Sequence, residues 1–263
     1  MATISSLDRG LDVLEAVARH GHGVGTRALA KELGISVTSV HNMATTLVRR
    51  GYLAQDERTR HFLPGPHLAL LSRRGSLADD LVQAAMSRLE AAATASGESV
   101  MLAGIVGSRI VRLAFLSAPQ TLSVREPDDL GAVAHCTATG KMLLSCLPAP
   151  DLTDFLRTAP LQRFTPRTIH KPAAIKAELE RVRTQGFAGV TDELSDGVSA
   201  LAVLVPGSAA LLPAAIGISA PTVRYDSAMR TRVMRILRDI GAEIGAIWSR
   251  HAPRVRSVEQ RTA

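Results

Sequence analysis

The sequence predicts an α+β protein with two domains, a small N-terminal domain made mainly of helices and a larger C-terminal domain with an antiparallel sheet. Its 263 residues are enough for two domains of modest size. Apolar residues recur at helical spacing up to about residue 96, and short runs typical of strands follow from Glu98 onward. Antiparallel strands with helices segregated from them are typical of the α+β class and not of alternating βαβ folds.

The N-terminal domain is predicted to begin with three helices. The first is indicated by apolar residues at helical spacing, which would close a small core: Leu7, Leu11, Leu14, Val17 and Ala18. A short second helix follows, with Thr26 as its expected N-cap. Gly34 is expected to provide the turn after this helix, and Ser36 is expected to cap the third helix.

The third helix has two chemically different faces. At about 100° per residue, one face is apolar and can pack on the preceding helix: Val40, Met43, Ala44 and Leu47. The other face and its margins carry polar side chains: Thr38, Ser39, His41, Asn42, Thr45, Thr46 and Arg49. Two helices joined by a glycine-containing turn, with hydrogen-bonding side chains outward on the second, are typical of a DNA-binding helix-turn-helix. An ordinary helical hairpin with a solvated polar face is the alternative.

A small β-hairpin is indicated after the third helix, over residues 51–63. Its tip carries Arg58 and Arg60, as the wing of a winged helix would, in position to reach phosphates or the minor groove. Pro64, Gly65 and Pro66 then end the hairpin, so the domain is expected to occupy residues 1–66.

The distribution of charge supports nucleic acid as a partner. Residues 1–76 hold 10 Lys and Arg against 6 Asp and Glu, whereas residues 77–249 hold 17 of each. Residues 250–263 hold 4 basic residues against 1 acidic residue and indicate a basic, disordered tail. Neutralising phosphates requires a concentrated positive face. An excess of basic residues confined to the two ends of the chain therefore indicates a nucleic-acid partner.

Helices are expected to link the domains over residues 67–96, and the C-terminal domain is expected over residues 97–249. Its predicted elements are a strand pair at 99–106 and 110–116 with a turn at 107–109, a further strand at 121–124, helices at 137–147 and 172–185, strands at 188–191, 199–205 and 211–219, and a final helix from about 226.

Several other classes of protein are not indicated. No apolar run is long enough to span a bilayer, and the first residues lack the pattern of a signal peptide, so a cytoplasmic protein is expected. Residues 139–141 lack the remaining positions of a phosphate-binding loop, and no catalytic or metal-binding motif occurs. His135 and Cys136 would point to opposite sides of a strand. Cys136 and Cys146 lie in apolar segments and are expected to be free, buried thiols.

The chain resembles a known family from about Leu7 to Trp248. The resemblance rests on motifs in a shared order and spacing: Leu7–Leu14, the Leu-Ala-Lys-Glu-Leu-Gly helix, Val40-His41, Leu47–Tyr52, Phe62–Pro66, His135–Lys141, Arg163–Ile169, Glu178–Phe187, Asp192-Glu193 with Gly197, and Ile216–Pro221. On these motifs the chain resembles the isocitrate lyase regulator (IclR) family of bacterial transcription factors.

This resemblance implies an N-terminal winged helix-turn-helix, a linker helix and a C-terminal GAF-like effector domain. It also implies double-stranded DNA as a partner, at a pseudo-palindromic operator, and a homodimer or homotetramer. Family members respond to small metabolites, frequently organic or aromatic acids, and repress or sometimes activate nearby catabolic genes. No cofactor, metal or membrane partner is implied.

The resemblance also suggests site residues. On the polar face, Thr38, Ser39, Asn42 and Thr45 are expected to face bases, and His41 at its margin is a further DNA-binding candidate. Basic residues common in the family at positions 37 and 42 are replaced by valine and asparagine. Asparagine is suited to pairing with adenine. Arg49, Arg50, Arg58 and Arg60 would contact phosphates or the minor groove.

In relatives that bind small oxo acids, polar side chains hold the ligand at four positions, which match Val190, Ala200, Gly217 and Ser219 here. Three of those four polar side chains are therefore absent from this chain. An apolar pocket with one anion-binding end at Thr137, Ala138 and Thr139 favours a larger aromatic or acyl acid. Alternatively, Thr137 and Thr139 only cap a structural helix. Arg125, Asp192 and Glu193 either line the pocket or lie in solvated turns, and solvent is favoured for Glu193.

Two other functions remain open at this point. A GAF-like enzyme would use Cys136 or Cys146 in redox chemistry, although apolar burial predicts unreactive thiols. A protein-interaction module would use the winged helix to bind another protein, in which case duplex binding would lack a strong salt dependence.

Overall fold

The computed structural model of the chain describes residues 4–72, 77–106, 109–125, 127, 129–208 and 212–251. Contacts divide the chain into two compact units, Met1–Ser76 and Leu77–Ala263. The turn predicted at 107–108 and most of the predicted basic tail, from residue 252, lie outside the described residues.

The N-terminal unit contains a three-helix core and a β-hairpin. Its elements are α1 (Ser5–Arg19), α2 (Thr26–Leu33), α3 (Val37–Arg49), β1 (Leu53–Gln55), β2 (Phe62–Pro64) and α4 (Pro66–Ser72). The two strands pair antiparallel, as the sequence predicts. One apolar cluster holds the unit together, centred on Val13, Val17, Leu29, Val40, Ala44 and Phe62.

Two local predictions for this unit are wrong. Leu7 and Leu11 are 59% and 48% exposed, because α1 buries Val13, Ala16 and Val17 in its C-terminal half instead. Thr26 is the first residue of α2 and not its N-cap, since Gly25 takes the extended conformation that precedes the helix. Gly34 does end α2 in the left-handed conformation that favours glycine, with φ of 65°.

The C-terminal unit is a sheet with helices on both faces. Its elements are α5 (Leu77–Ser96), β3 (Ser99–Val106), β4 (Arg109–Leu116), α6 (Ala138–Leu144), α7 (Ala149–Thr158), α8 (Pro172–Gln185), β5 (Ala188–Thr191), β6 (Val198–Leu204), β7 (Ala214–Pro221) and α9 (Ser227–His251). The strand order is β4-β3-β7-β6-β5, and every neighbouring pair is antiparallel.

Two apolar clusters form the two layers of this unit. One cluster packs α6 and α8 on the sheet through residues such as Met142, Leu179 and Ala202. The other packs α5 and α9 on the opposite face through Leu89, Ile216 and Leu237. Helix α5, which the sequence assigns to the linker, therefore packs on α9 and the sheet within the C-terminal unit.

Three sequence predictions for this unit differ from the structure. Residues 121–124 form an irregular segment and not a strand. The helix predicted to continue to residue 147 ends at Leu144, where tighter turns begin with Cys146 N–H donating to the Leu143 carbonyl. Helix α7 was not predicted, because Pro148 and Pro150 indicate a break; proline is nevertheless tolerated in a first helical turn.

Candidate functional site

The polar face of α3 is exposed, as expected for a surface that binds a partner. Val40 and Ala44 are fully buried against the rest of the N-terminal unit, which turns the opposite side of the helix outward. The exposed side chains on that side are Thr38, His41, Asn42, Thr45, Thr46, Arg49 and Arg50. Val37, at the start of the helix, is also exposed.

Ser39 differs from the other residues predicted to face bases. The Ser36 hydroxyl accepts a hydrogen bond from the Ser39 N–H at 3.1 Å and lies 2.8 Å from the Ser39 hydroxyl. Ser36 is thus the N-cap that the sequence predicts, and both serine side chains take part in it. Ser39 is half-buried. Its side chain, which the sequence predicts to face DNA, takes part in the helix cap instead.

The hairpin tip is fixed by a single carboxylate. Asp56 accepts hydrogen bonds from the N–H and the hydroxyl of Thr59 at 2.6 and 2.7 Å, and these bonds lower the pKa of Asp56. Gln55 Nε2 donates to the Arg60 carbonyl at 3.0 Å, and Arg60 takes a φ of 60°. This tight turn holds the backbone of Arg58 and Arg60 in place while both side chains stay exposed.

Helix α3 and the hairpin tip border one concave surface. Its lining includes Thr38 and His41 from α3, Arg60 and His61 from the hairpin, and Arg27 from the first turn of α2. Sequence reasoning missed Arg27 and His61, because their place beside α3 depends on how α2 and the hairpin pack. The surface is therefore formed by α2, α3, the hairpin and the segment before α2, and it carries arginines on α2 and the hairpin.

A second concave region lies in the C-terminal unit, between the sheet and the start of α6; we call it the C-terminal cavity. All seven residues predicted to bind an effector line it: Thr137, Ala138, Thr139, Val190, Ala200, Gly217 and Ser219. Further lining residues were not predicted and are mainly apolar, including Met101, Phe115, Val124, Leu130 and Leu194. They come from segments distant in sequence, and no local pattern marks them.

Gly217 explains why α6 lies so close to the sheet. A β-carbon at this position in β7 would lie 2.6 Å from Thr139 Cγ2, which is closer than real contacts allow. A larger residue here would require Thr139, and with it the start of α6, to shift. The Thr139 hydroxyl lies 3.6 Å from the Met101 sulfur, so the same approach brings α6 against β3.

One end of the cavity can attract an anion. Thr137 caps α6 by accepting a hydrogen bond from the Gly140 N–H at 3.3 Å. The N–H groups of Ala138 and Thr139 belong to the first turn and have no partner within their own helix. Arg125 also lines the cavity and places a cation beside this otherwise apolar space.

Glu193 is buried, so the prediction that it lies in solvent is wrong. Its Oε1 atom accepts a hydrogen bond from Lys141 Nζ at 2.5 Å, and Glu178 Oε1 lies 3.6 Å from the same ammonium group. Lys141 is only 1% exposed. The ammonium group is thus occupied by two carboxylates, which agrees with the rejection of a phosphate-binding loop at residues 139–141.

Asp192 holds the loop between β5 and β6 and does not line the cavity. Its Oδ1 atom accepts hydrogen bonds from the Gly197 N–H at 2.9 Å and from the Thr222 hydroxyl at 2.8 Å. Its other carboxylate oxygen lies 3.2 Å from Arg167. Of the three charged residues left open by the sequence, only Arg125 lines the cavity.

Comparison with known protein families identifies both units. Residues 6–57 match the model of the IclR helix-turn-helix domain, and residues 77–246 match the model of the bacterial transcriptional regulator IclR C-terminal domain. The chain belongs to the IclR family. It is therefore a transcription regulator with a helix-turn-helix domain and an effector domain, and the predicted family and fold class are confirmed.

Individual IclR-family proteins are similar over nearly the whole chain. The HTH-type transcriptional regulator BhcR of Paracoccus denitrificans is 29% identical over 245 residues, covering 90% of this chain and 86% of that protein. An IclR transcriptional regulator from Silicibacter has a TM-score of 0.81 at 23% identity, covering 92% and 96% of the two chains. An IclR homologue from Microbacterium hydrocarbonoxydans, complexed with 4-hydroxybenzoate, has a TM-score of 0.67 at 21% identity, covering 93% and 99%.

The IclR-family assignment removes the enzyme alternative, since the homologues are transcriptional regulators. The geometry of the cysteines agrees with this. Cys136 is fully buried with its sulfur 3.3 Å from the Val133 carbonyl, and burial raises its pKa to about 12. Burial also raises the pKa of the half-buried Cys146 thiol.

The Cys136 thiol contacts the Val133 carbonyl and not the neighbouring His135. Both residues lie on a 3-10 turn, Ala134–Cys136, and not on the strand that the sequence argument assumed. His135 Nε2 lies 2.9 Å from the Gln162 carbonyl, and burial lowers the pKa of this imidazole.

Two other features bear on possible ligands and partners. Among the described residues, no cluster of His, Cys, Asp and Glu side chains is arranged to hold a metal ion. Within the same part of the chain, every helix is too short or too polar to cross a membrane.

Proposed function

We propose that this IclR-family regulator represses catabolic genes and that a small organic acid, bound in the C-terminal cavity, changes its affinity for an operator. One observation carries the proposal: all seven residues that the sequence assigns to the effector line a single, mainly apolar cavity. The repressor assignment follows the common mode of action of the family. A regulator bound across a promoter excludes the polymerase.

The DNA contacts are proposed for α3 and the hairpin. Thr38, His41, Asn42 and Thr45 would face base edges in the major groove, with Ser39 restricted by its place in the N-cap. Arg49, Arg50, Arg58 and Arg60 would bind phosphates or the minor groove. Their exposure and the net positive charge of residues 1–76 favour DNA over a protein partner for this surface.

The chemistry of the cavity favours an acid with an apolar body. Aliphatic and aromatic side chains form most of its wall, which suits a hydrocarbon or aromatic ring. Arg125 and the start of α6, with the hydroxyls of Thr137 and Thr139, would hold the carboxylate. The aromatic acid bound by the Microbacterium homologue belongs to the same chemical class.

The cavity has room for several water-sized molecules, with about 70 Å³ open to them. A single water needs at least about 10–15 Å³ on this scale. The unbranched Met101 in the wall is suited to movements that would admit the body of a bulkier acid.

Operator binding with and without effector tests the proposal. Genomic fragments retained by the purified chain would be sequenced to identify an operator, and binding would then be followed by fluorescence anisotropy. A panel of aliphatic and aromatic acids, including benzoate and 4-hydroxybenzoate, would be titrated into the complex. We expect at least one acid to shift operator affinity by about 5- to 150-fold, the usual range of allosteric coupling.

A substitution that fills the cavity tests its role, and the same substitution elsewhere serves as the control. Ala200→Phe should abolish the response to the acid while leaving unliganded DNA binding largely intact, because the ring would occupy the effector volume. Ala173→Phe on the exposed surface of α8 makes the same change away from the cavity and should respond normally. An unchanged acid affinity in Ala200→Phe would refute the assignment of the cavity but not that of the DNA surface.

A further inference from the structure

The C-terminal unit contains a second concave region at the β5 edge of the sheet, which we call the α9 cleft. Its lining includes Arg181, Gln185, Phe187, Thr191, Tyr225 and Arg230. Gly189 and Thr191 line it, and so do Val190, Ala200 and Leu201, which also line the C-terminal cavity. The α9 cleft and the C-terminal cavity therefore adjoin at β5 and β6.

Two arginines border this cleft. Arg230, in the first turn of α9, has its guanidinium carbon 5.9 Å from the centre of the Phe187 ring and has no carboxylate partner among the described residues. Arg181, near the end of α8, pairs with Glu178 through Nε and Nη2, at 3.0 and 2.6 Å. Its Nη1 atom takes no part in that pair. One arginine is therefore fully available, and the other has donors to spare.

Acidic groups near the cleft are already engaged. Glu178 faces Lys141 as well as Arg181. Asp226 lines the cleft, but one of its oxygens caps α9 by accepting a hydrogen bond from the Met229 N–H at 2.7 Å. The nearby carboxylates thus have structural partners, whereas Arg230 does not.

A buried hydroxyl provides an independent observation. The Tyr225 hydroxyl oxygen is shielded from solvent and has no hydrogen-bond partner among the described residues. Burial raises the pKa of this phenol, so the group remains a protonated donor. Buried polar groups are normally hydrogen-bonded, and an unpaired one needs an explanation. Tyr225 lines the cleft, so a small rotation of its ring would let this hydroxyl donate to an oxygen-rich ligand bound there.

We propose that the α9 cleft is a second ligand site, which binds a small, doubly charged anion between Arg230 and Arg181. Guanidinium groups bind carboxylate and phosphate oxygens through paired hydrogen bonds, which selects against neutral and cationic molecules. The phenol of Tyr225 donates a further hydrogen bond, and the Phe187 ring covers the carbon skeleton. Such a site gives the regulator a second chemical input beside the acid in the C-terminal cavity.

Calorimetric titration of the full chain with succinate and with inorganic phosphate tests the site, with ionic strength matched by sodium chloride. We expect saturable binding of at least one probe at one site per chain. The tighter probe identifies the natural anion as a dicarboxylate or as a phosphate compound. Absence of saturable binding by both probes at millimolar concentration would overturn the proposal.

Variants locate the binding. Arg230→Gln should weaken it by about tenfold or more, since it removes a charge-assisted contact. Arg250→Gln removes the same charge from the other end of α9, about 30 Å away, and should bind normally. Equal weakening by both substitutions would indicate only nonspecific attraction and would overturn the proposal.

Tyr225→Phe separates a role in binding from a role in folding. The hydroxyl has no partner within the described residues, so its removal should leave the melting temperature unchanged or raise it. The same substitution should weaken binding of the probe anion by about fivefold, the loss of one hydrogen bond. Unchanged affinity in a folded Tyr225→Phe variant would contradict the proposal.

Discussion

At the scale of single residues, Asn42 and Arg58 represent two kinds of DNA contact. Asn42 presents an exposed amide on α3, which can pair with both hydrogen-bonding groups of an adenine edge. Arg58 presents an exposed cation at the hairpin tip. Amides of this kind discriminate among bases, whereas cations bind phosphates of any sequence.

The two substitutions should therefore have different effects. Asn42→Ala should lower discrimination between operator and random DNA by about 1–3 kcal/mol, because it removes a base contact. Arg58→Ala should weaken both DNAs alike and reduce the slope of log affinity against log salt by about one unit. Anisotropy titrations over a range of salt concentrations measure both effects. Equal losses of specificity would contradict this placement of the residues.

Gly217 permits a second prediction at this scale. Gly217→Ala should destabilise the C-terminal unit by about 1–3 kcal/mol, because its methyl group would overlap Thr139 Cγ2. Gly10→Ala makes the same change within α1, where nothing lies within 4 Å of the new atom. It should stabilise the protein by about 0.5–1 kcal/mol through helix propensity. Chemical denaturation measures both changes, and a stabilising Gly217→Ala would show that α6 can move at no cost.

At the scale of elements, one buried ion cluster joins three segments. Lys141 lies on α6, Glu178 on α8 and Glu193 in the loop after β5. The hydroxyl of Thr168 donates to the Glu193 carbonyl at 2.5 Å, which fixes the same loop from a fourth segment. The cluster thus determines where the loop lies and, with it, the start of β6 beside the C-terminal cavity.

Removing only the cation from this cluster should be severely destabilising. Lys141→Met leaves the Glu193 carboxylate buried without a cation, whereas Glu178 keeps its pair with Arg181, and should cost about 3–5 kcal/mol of unfolding free energy. The double variant Lys141→Met with Glu193→Gln should recover part of that loss, because the uncompensated charge of Glu193 is also removed. Urea denaturation of both variants checks the coupling. Additive effects would show that the ion pair does not contribute as the geometry implies.

At the scale of the whole molecule, α1 suggests how two copies associate. Ile4, Leu7 and Leu11 are 68%, 59% and 48% exposed and recur at helical spacing. A single helix-turn-helix contacts only a few base pairs, so useful specificity requires two half-sites and a two-fold dimer. The exposed apolar stripe of α1 is therefore a candidate dimer contact, and the first part of α5 is another.

Sedimentation tests this prediction. The unmodified chain should sediment as a dimer or larger assembly at micromolar concentration, with or without operator. The double substitution Leu7→Asp with Leu11→Asp should weaken dimer formation without unfolding the chain, because both side chains lie outside the core. Val37→Asp changes another exposed apolar residue and should leave the oligomeric state unchanged. A monomeric unmodified chain under both conditions would refute the prediction.

The sequence by itself determined the features that depend on neighbouring residues. Ser36 caps α3, Gly34 and Gly186 end their helices in the left-handed conformation, and the polar face of α3 follows from its spacing. Caps, turns and helix faces are set within a few residues of the chain, so local rules suffice to predict them. Resemblance to the IclR family added seven of the residues that line the C-terminal cavity.

Only the tertiary structure decided which groups are buried together. The residues around Glu193 have the composition of a solvated turn, yet Glu193 is buried against its ion-pair partner Lys141, which lies 52 residues earlier in the chain. The cavity is also lined by residues far in sequence from its predicted members, among them Met101, Phe115 and Arg125. Similarly, the α9 cleft is lined by residues at the ends of α8 and β5. Burial and pairing depend on long-range packing, in which the free energy of a charge is set by neighbours that sequence periodicity does not reveal.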